Sequence, residues 1–109
     1  MAQDDGQLTE RIERVSRMEA ILDTHAALLV RLGDAIDAFE AGQADYQLLR
    51  DYYCSEDYLA DVDVDAAGGL SDDLRRGVLS EDATFELIGD NLQAAIRMLE
   101  VATAVVRDH

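Results

Sequence analysis

The chain contains no lysine, no proline and no tryptophan, and it has a single cysteine, Cys54. One cysteine excludes an internal disulfide. Without proline and with only seven glycines, little in the sequence opposes long helices. No apolar run approaches the roughly 20 residues of a membrane span. The first residues, MAQDDGQL, carry an acidic pair where a signal peptide needs positive charge, so we expect a soluble cytoplasmic protein.

Acidic residues dominate the charged positions. The 109 residues include 24 acids and nine basic residues, all of them arginine, for a net charge of −15. This charge repels phosphate backbones and anionic lipids, which argues against nucleic-acid and membrane binding. It suits a basic protein partner, a cation or mimicry of nucleic acid, and solubility alone explains it equally well. The length is that of one domain.

The first long helical pattern covers residues 8–41, behind an N-terminus, residues 1–7, that we expect to be flexible. A seven-residue frame places two neighbouring ridges on one side of this helix: Val15, Leu22, Leu29 and Ile36, then Met18, His25, Leu32 and Phe39. Ile21 and Leu28 widen the apolar stripe, so we expect this helix to pack against more than one neighbour. Gly42 is the predicted break.

The second long pattern covers residues 80–107 and is expected to be capped by Ser80. Its apolar residues alternate at spacings of three and four: Phe85, Ile88, Leu92, Ala95, Leu99, Ala102 and Val106. A second ridge runs beside them: Leu87, Ala94, Met98, Val101 and Val105. No stretch keeps the period of a strand beyond a few residues at 61–65. The patterns predict an all-α fold, with two long antiparallel helices joined by a connector, residues 43–79.

The connector is predicted to hold short helices and turns. Residues 45–53 fit one short helix and residues 56–65 fit another. Ser55 is expected to cap the latter, with Glu56 and Asp57 in its first turn, where the helix dipole favours acids. This helix should end before Gly68, and residues 71–76 could form one further helical turn.

The run Asp61-Val62-Asp63-Val64-Asp65 has acids at the first, third and fifth positions of a calcium-binding loop. Ala66 stands where that loop needs glycine, and Asp72 stands where it needs glutamate, so an EF-hand is not expected. A looser calcium or magnesium site and a solvated acidic face both stay open. The candidate metal ligands are Asp61, Asp63, Asp65 and Asp72, with Asp57 as a further carboxylate.

Signals for catalysis are weak. All-helical nucleotide pyrophosphohydrolases hold magnesium with pairs of carboxylates three residues apart. This chain has such pairs at Glu10/Glu13 and Asp34/Asp37. They lie opposite the apolar stripe, and no lysine is present to bind phosphate. His25 fits the edge of a core, and Cys54 has acids around it and no histidine nearby in sequence. We predict no catalytic residue, and a metal-dependent hydrolase is the enzymatic alternative.

All four tyrosines lie in or beside the connector: Tyr46, Tyr52, Tyr53 and Tyr58. They could pack the connector against the long helices or form a binding surface, since tyrosine combines apolar area with a polar tip. Arg75 and Arg76 form the one adjacent basic pair, which we expect to neutralise Asp72, Asp73 or the acids near Tyr58. The predicted interaction surface comprises Tyr52, Tyr53, Ser55, Glu56, Asp57, Tyr58 and Arg76.

Two strings, DYYCSEDY at residues 51–58 and LRRGVLSED at residues 74–82, resemble a small bacterial family catalogued as Domain of Unknown Function 4298. The likeness extends from Ile12 to Leu99. It implies a small cytoplasmic helical protein with no established activity, substrate or cofactor. It also implies that the two strings form one surface or one structural junction.

The sequence departs from the family pattern at four positions. The family usually has glycine where Cys54 stands, which argues against a thiol chemistry shared by its members. It usually has tryptophan at Tyr58, proline near Ser71 and lysine at Arg75. Tyr58 is compatible with the same packing role, and Ser71 is compatible with the same turn.

The residues together favour a non-enzymatic helical protein–protein interaction module, with residues 51–82 as the recognition segment and a protein with a basic surface as its partner. Pairing into a homodimer through the wide apolar faces is a further expectation. The alternative from another class is a divalent-metal-binding protein that uses the carboxylates from Asp57 to Asp72. A weaker alternative is an acidic mimic of nucleic acid.

Overall fold

The computed structural model of the chain describes residues 2–109, with side chains from residue 4 onward. Three α-helices and one short 3₁₀ helix make up its regular structure: α1 (Ala2–Tyr53), α2 (Glu56–Ala66), the 3₁₀ helix (Gly77–Leu79) and α3 (Ala83–Asp108). No strand occurs over these residues, which confirms the all-α class. The antiparallel arrangement of the long helices stays a prediction. The chain divides into a first unit that ends at Gln43 and a second, Ala44–His109.

The first unit consists only of α1, as far as Gln43. Where the sequence indicated a flexible N-terminus, the structure has helix from Ala2 onward, and Met1 lies outside the described residues. The apolar stripe is exposed along its length, from Leu8 at 57% to Ile36 at 43%. A single helix has no second element against which its apolar face could pack, so nothing within this unit covers the stripe.

The predicted break at Gly42 is absent, and residues 45–53 are the last part of α1 rather than a separate helix. A helical glycine costs only about 1 kcal/mol relative to alanine. Alanine and glutamine flank Gly42, both good helix formers, and no proline is present to end the helix. The weak local preference of one glycine therefore does not interrupt α1.

The predicted cap at Ser55 is confirmed. Two backbone bonds close the end of α1, from Cys54 N to the Arg50 carbonyl (3.2 Å) and from Ser55 N to the Tyr52 carbonyl (3.0 Å). The Ser55 hydroxyl accepts a hydrogen bond from Tyr58 N at 3.3 Å and donates to the Tyr52 carbonyl at 2.6 Å. One side chain thus caps α2 and joins its start to the end of α1.

The end of α2 before Gly68 is also confirmed. Gly68 N donates to the Asp65 carbonyl (3.0 Å) and Gly69 N to the Val64 carbonyl (2.9 Å), which is the bonding pattern of a Schellman motif. Gly68 has a φ of 76°, which disfavours any side chain. A Cβ at Gly69 would lie 2.8 Å from the Val64 Cγ1. Both glycines are therefore needed to reverse the chain here.

The segment that follows differs from the predicted helical turn at residues 71–76. Leu74 N donates to the Ser71 carbonyl (3.1 Å), and Asp73 N donates to the Ser71 hydroxyl (3.3 Å). These two bonds close a single turn after Ser71 that does not continue as a helix. Regular structure resumes as the 3₁₀ helix at Gly77–Leu79.

The last helix, α3, begins at Ala83 rather than at residue 80, and its N-cap residue is Asp82 rather than the predicted Ser80. The Ser80 hydroxyl accepts from Ala83 N at 3.3 Å and donates to the Gly77 carbonyl at 2.7 Å. Ser80 therefore closes the 3₁₀ helix while it satisfies one amide at the start of α3.

The least exposed face of α3 shares Ile88 and Ala95 with the predicted apolar ridge and is otherwise offset from it. Thr84 is 3% exposed and is the one buried residue among those described, and the half-buried Ile88, Asn91 and Ala95 continue its face. Leu92 and Leu99 of the predicted ridge are 59% and 68% exposed. None of the described helices is long and apolar enough to cross a membrane.

Candidate functional site

Three tyrosine rings meet where α1 ends and α2 begins. The Tyr58 ring packs edge-on to Tyr52, with centroids 5.7 Å apart and an angle of 89°, and lies 5.0 Å from Tyr53 at 50°. Such tilted contacts stabilise beyond the area that they bury. Tyr46, the fourth tyrosine, is half-buried earlier on α1. We call residues 52–61, which these rings and the Ser55 cap hold together, the junction.

A short hydrogen bond joins two side chains of the junction. The Tyr52 hydroxyl donates to the Asp61 Oδ2 at 2.6 Å, across nine residues of sequence. This bond raises the pKa of Tyr52 to about 12, because ionisation would break it. Desolvation and the nearby charges of Asp61 and Asp57 act in the same direction, since both disfavour a phenolate.

A titration of the tyrosines can test this bond. Below pH 10, the ordinary tyrosine value, Tyr52 is protonated in the folded and the unfolded chain, and the bond contributes fully to stability. As the pH rises from there through about 12, that contribution is lost, since the unfolded tyrosine ionises first. We expect the phenolate absorbance change that Tyr52→Phe removes to have its midpoint near pH 12. Asp61→Asn should lower that midpoint, and a wild-type midpoint near 10 for Tyr52 would contradict the bond.

A second charged contact ties the following segment to α2. The Arg76 Nη1 lies 2.6 Å from the Asp65 Oδ1, with the two side chains 33% and 28% exposed. For Arg76, the predicted partners, Asp72, Asp73 or the acids near Tyr58, were wrong. The two-glycine reversal after α2 returns the chain along that helix, which brings Arg76 to the carboxylate in the last turn of α2.

The predicted metal ligands do not converge. Asp61 accepts from Tyr52, and Asp65 is paired with Arg76. Asp63 lies between them in sequence and so projects from another side of α2, while Asp72 is in the turn beyond the glycines. Over the side chains from residue 4 onward, no group of three or more His, Cys, Asp or Glu could hold a metal ion. Metal binding here would require Asp61 and Asp65 to leave their present partners.

A cleft of about 300 Å³ opens beside the junction. Leu70, Leu74, Val78 and Leu79 make its apolar surface, and polar groups of four residues border it: Tyr52, Asp61, Arg75 and Arg76. The sequence reasoning missed this cleft. Its signal in the sequence was the presence of four large apolar residues, Leu70, Leu74, Val78 and Leu79, in a segment regarded only as a connector.

The family described as a domain of unknown function (DUF4298) matches residues 15–101. The chain belongs to this family. No curated protein matches the chain. The matched range contains the whole junction, the Gly68-Gly69 reversal and the cleft, so each of these features lies inside the DUF4298 region. The resemblance stated from the two strings is thereby confirmed as a family membership.

The predicted surface residues of this DUF4298 protein separate into two groups. Tyr52, Ser55 and Arg76 each make a hydrogen bond or ion pair that holds the junction or the segment after it. Glu56 and Asp57 are exposed on the first turn of α2, beside the half-buried Tyr53 and Tyr58, and these four form the second group. The Cys54 thiol is also exposed there.

Proposed function

We propose that this DUF4298 protein is a cytoplasmic, non-enzymatic interaction module that binds the basic surface of another protein through the junction and the neighbouring cleft. The observation that carries the proposal is the combination of an apolar cleft with exposed carboxylates on the same short stretch of chain. Protein interfaces combine an apolar or aromatic centre with a polar rim in this way.

Charge supports a basic partner. Residues 51–82 hold ten acids and two arginines, and one of those arginines, Arg76, is already paired with Asp65. Exposed acids such as Glu56 and Asp57 would accelerate association with a basic surface and oppose acidic competitors. Because exposed charges are screened within about 10 Å at 0.1 M salt, we expect the association rate to fall as salt is added.

The cleft supplies the apolar part of the interaction. At about 300 Å³ it lies at the lower end of the size range of ligand pockets. Leu74 is 52% exposed and Val78 37% exposed, so apolar surface is available there. A leucine- or phenylalanine-sized side chain of the partner, next to its lysines or arginines, would bury this surface while its charges meet the surrounding acids.

Site-directed photo-crosslinking tests this proposal. A photoreactive residue in place of Glu56 should form an adduct with a distinct protein in cells of the source organism, and the same residue in place of Asp90 should not. Asp90 is the matched control because it is an exposed acid on α3, outside residues 51–82 in sequence. The partner so identified is then purified and titrated with the wild-type chain and two charge reversals.

Asp57→Lys should weaken binding to that purified partner at least tenfold, about 1.4 kcal/mol, and Asp90→Lys should change it less than twofold, with both variants folded. Equal adducts from Glu56 and Asp90, or equal losses from the two reversals, would contradict the proposed surface. Displacement of the partner by DNA would identify the acidic surface as a mimic of nucleic acid.

A further inference from the structure

One face of α1 is apolar over most of the first unit. Ten large apolar side chains between Leu8 and Ile36 lie on it, with exposed fractions from 43% to 61%. We call this surface the α1 face. A contiguous apolar patch beyond a few hundred Å² on a soluble protein marks an interaction site.

The width of the α1 face shows how many helices it can accommodate. In the seven-residue frame, two central ridges pass through Leu22 and Leu32. Ile21 and Leu28 extend the face on one side, and Ile12 extends it on the other. A pair of helices uses the two central ridges only, whereas a face with apolar flanks contacts two neighbours.

The chain has too few long helices to supply those neighbours. Besides α1 it has one long helix, α3 with 26 residues, and α2 has only 11. We therefore propose that a second copy of this chain covers part of the α1 face, which makes the protein a homodimer. This interaction uses other residues than the junction and goes beyond the proposed function.

The area of the α1 face is sufficient for such a dimer. At roughly 100 Å² for each large apolar side chain, ten of them would bury about 1,000 Å² from each copy and about 2,000 Å² in total. That total is in the range of obligate homodimers. If the second copy covers only half of the face, the buried total still reaches the roughly 1,000 Å² of a specific interface.

Charge favours a second copy over a basic or an acidic partner at this face. Residues 8–36, which carry the α1 face, hold five acids and four arginines, whereas the rest of the chain has 19 acids and five arginines. A charge-balanced segment neither attracts a strongly charged partner nor repels its own copy. In a two-fold dimer, the arginines of one copy can meet the glutamates of the other.

Light scattering and sedimentation equilibrium of the full chain test the dimer. We expect a mass of twice the 12.0 kDa of one chain. Leu29→Ala should raise the dimer dissociation constant about a hundredfold, because packing is lost in both copies. Val30→Ala is the matched control: Val30 is the next residue, is 65% exposed against 57% for Leu29, and lies off the face. It should change the constant less than threefold.

A mass of one chain at about 100 μM, which corresponds to roughly −5.5 kcal/mol, would overturn the proposal. So would equal effects of the two substitutions, since that would place the interface elsewhere. If Leu29→Ala unfolds, an experiment on the wild-type chain tests the dimer instead. Two wild-type copies with different affinity tags, mixed and purified on one tag and then the other, should yield a mixed pair, and failure to form it would also overturn the proposal.

Discussion

Replacing Arg76 by alanine is expected to lower the free energy of unfolding by about 2 kcal/mol. The guanidinium and the Asp65 carboxylate form a charge-assisted hydrogen bond of 2.6 Å in which both groups are about two-thirds buried. Removal of the arginine leaves a part-buried carboxylate without its cation. The change also loosens the segment that returns along α2, which Arg76 anchors. Urea denaturation at neutral pH, followed by circular dichroism, measures the effect.

The adjacent arginine provides the control for this prediction. Arg75 is exposed at the border of the cleft, so Arg75→Ala should cost less than about 0.5 kcal/mol. A double-mutant cycle of Arg76→Ala with Asp65→Asn should give a coupling energy of about 1 kcal/mol or more. Equal losses from Arg75→Ala and Arg76→Ala would mean that the ion pair does not hold this segment.

The features that could be predicted from the sequence depend on neighbouring residues. Ser55 followed by Glu56 and Asp57 indicated the cap, because a capping hydroxyl bonds an amide three residues ahead. Gly68-Gly69 indicated the end of α2, because the positive φ favours glycine wherever the rest of the chain lies. Such local interactions need no knowledge of the fold.

The features that were missed depend on residues far apart in sequence or on competing weak preferences. The bonds Tyr52–Asp61 and Arg76–Asp65 span nine and eleven residues. The segment from 51 to 82 offers ten acids as candidate partners, and no local rule chooses between them. Gly42 was given too much weight, since one glycine inside a helix costs only about 1 kcal/mol relative to alanine. The least exposed face of α3 was not found from the spacing of apolar residues, because two polar residues, Thr84 and Asn91, lie on it.

Replacing Ser55 by alanine is expected to cost about 1.5–2 kcal/mol, at the upper end of the range for a lost N-cap. The Ser55 hydroxyl accepts from Tyr58 N and donates to the Tyr52 carbonyl, so alanine removes both bonds. Urea denaturation measures the loss, and hydrogen exchange at the Tyr58 amide shows whether the cap has opened. Ser16→Ala is the control, since Ser16 is exposed within α1, where alanine is the better helix former.

Two further substitutions separate the roles of the Ser55 hydroxyl. Ser55→Thr keeps the donor and the acceptor and should remain within about 0.5 kcal/mol of the wild type. Ser55→Asp keeps only the acceptor, so its cost should fall between those of threonine and alanine, because aspartate also favours the helix N-terminus. If Ser55→Ala costs no more than Ser16→Ala, the packing of Tyr58 against Tyr52 and Tyr53 holds the junction without the cap.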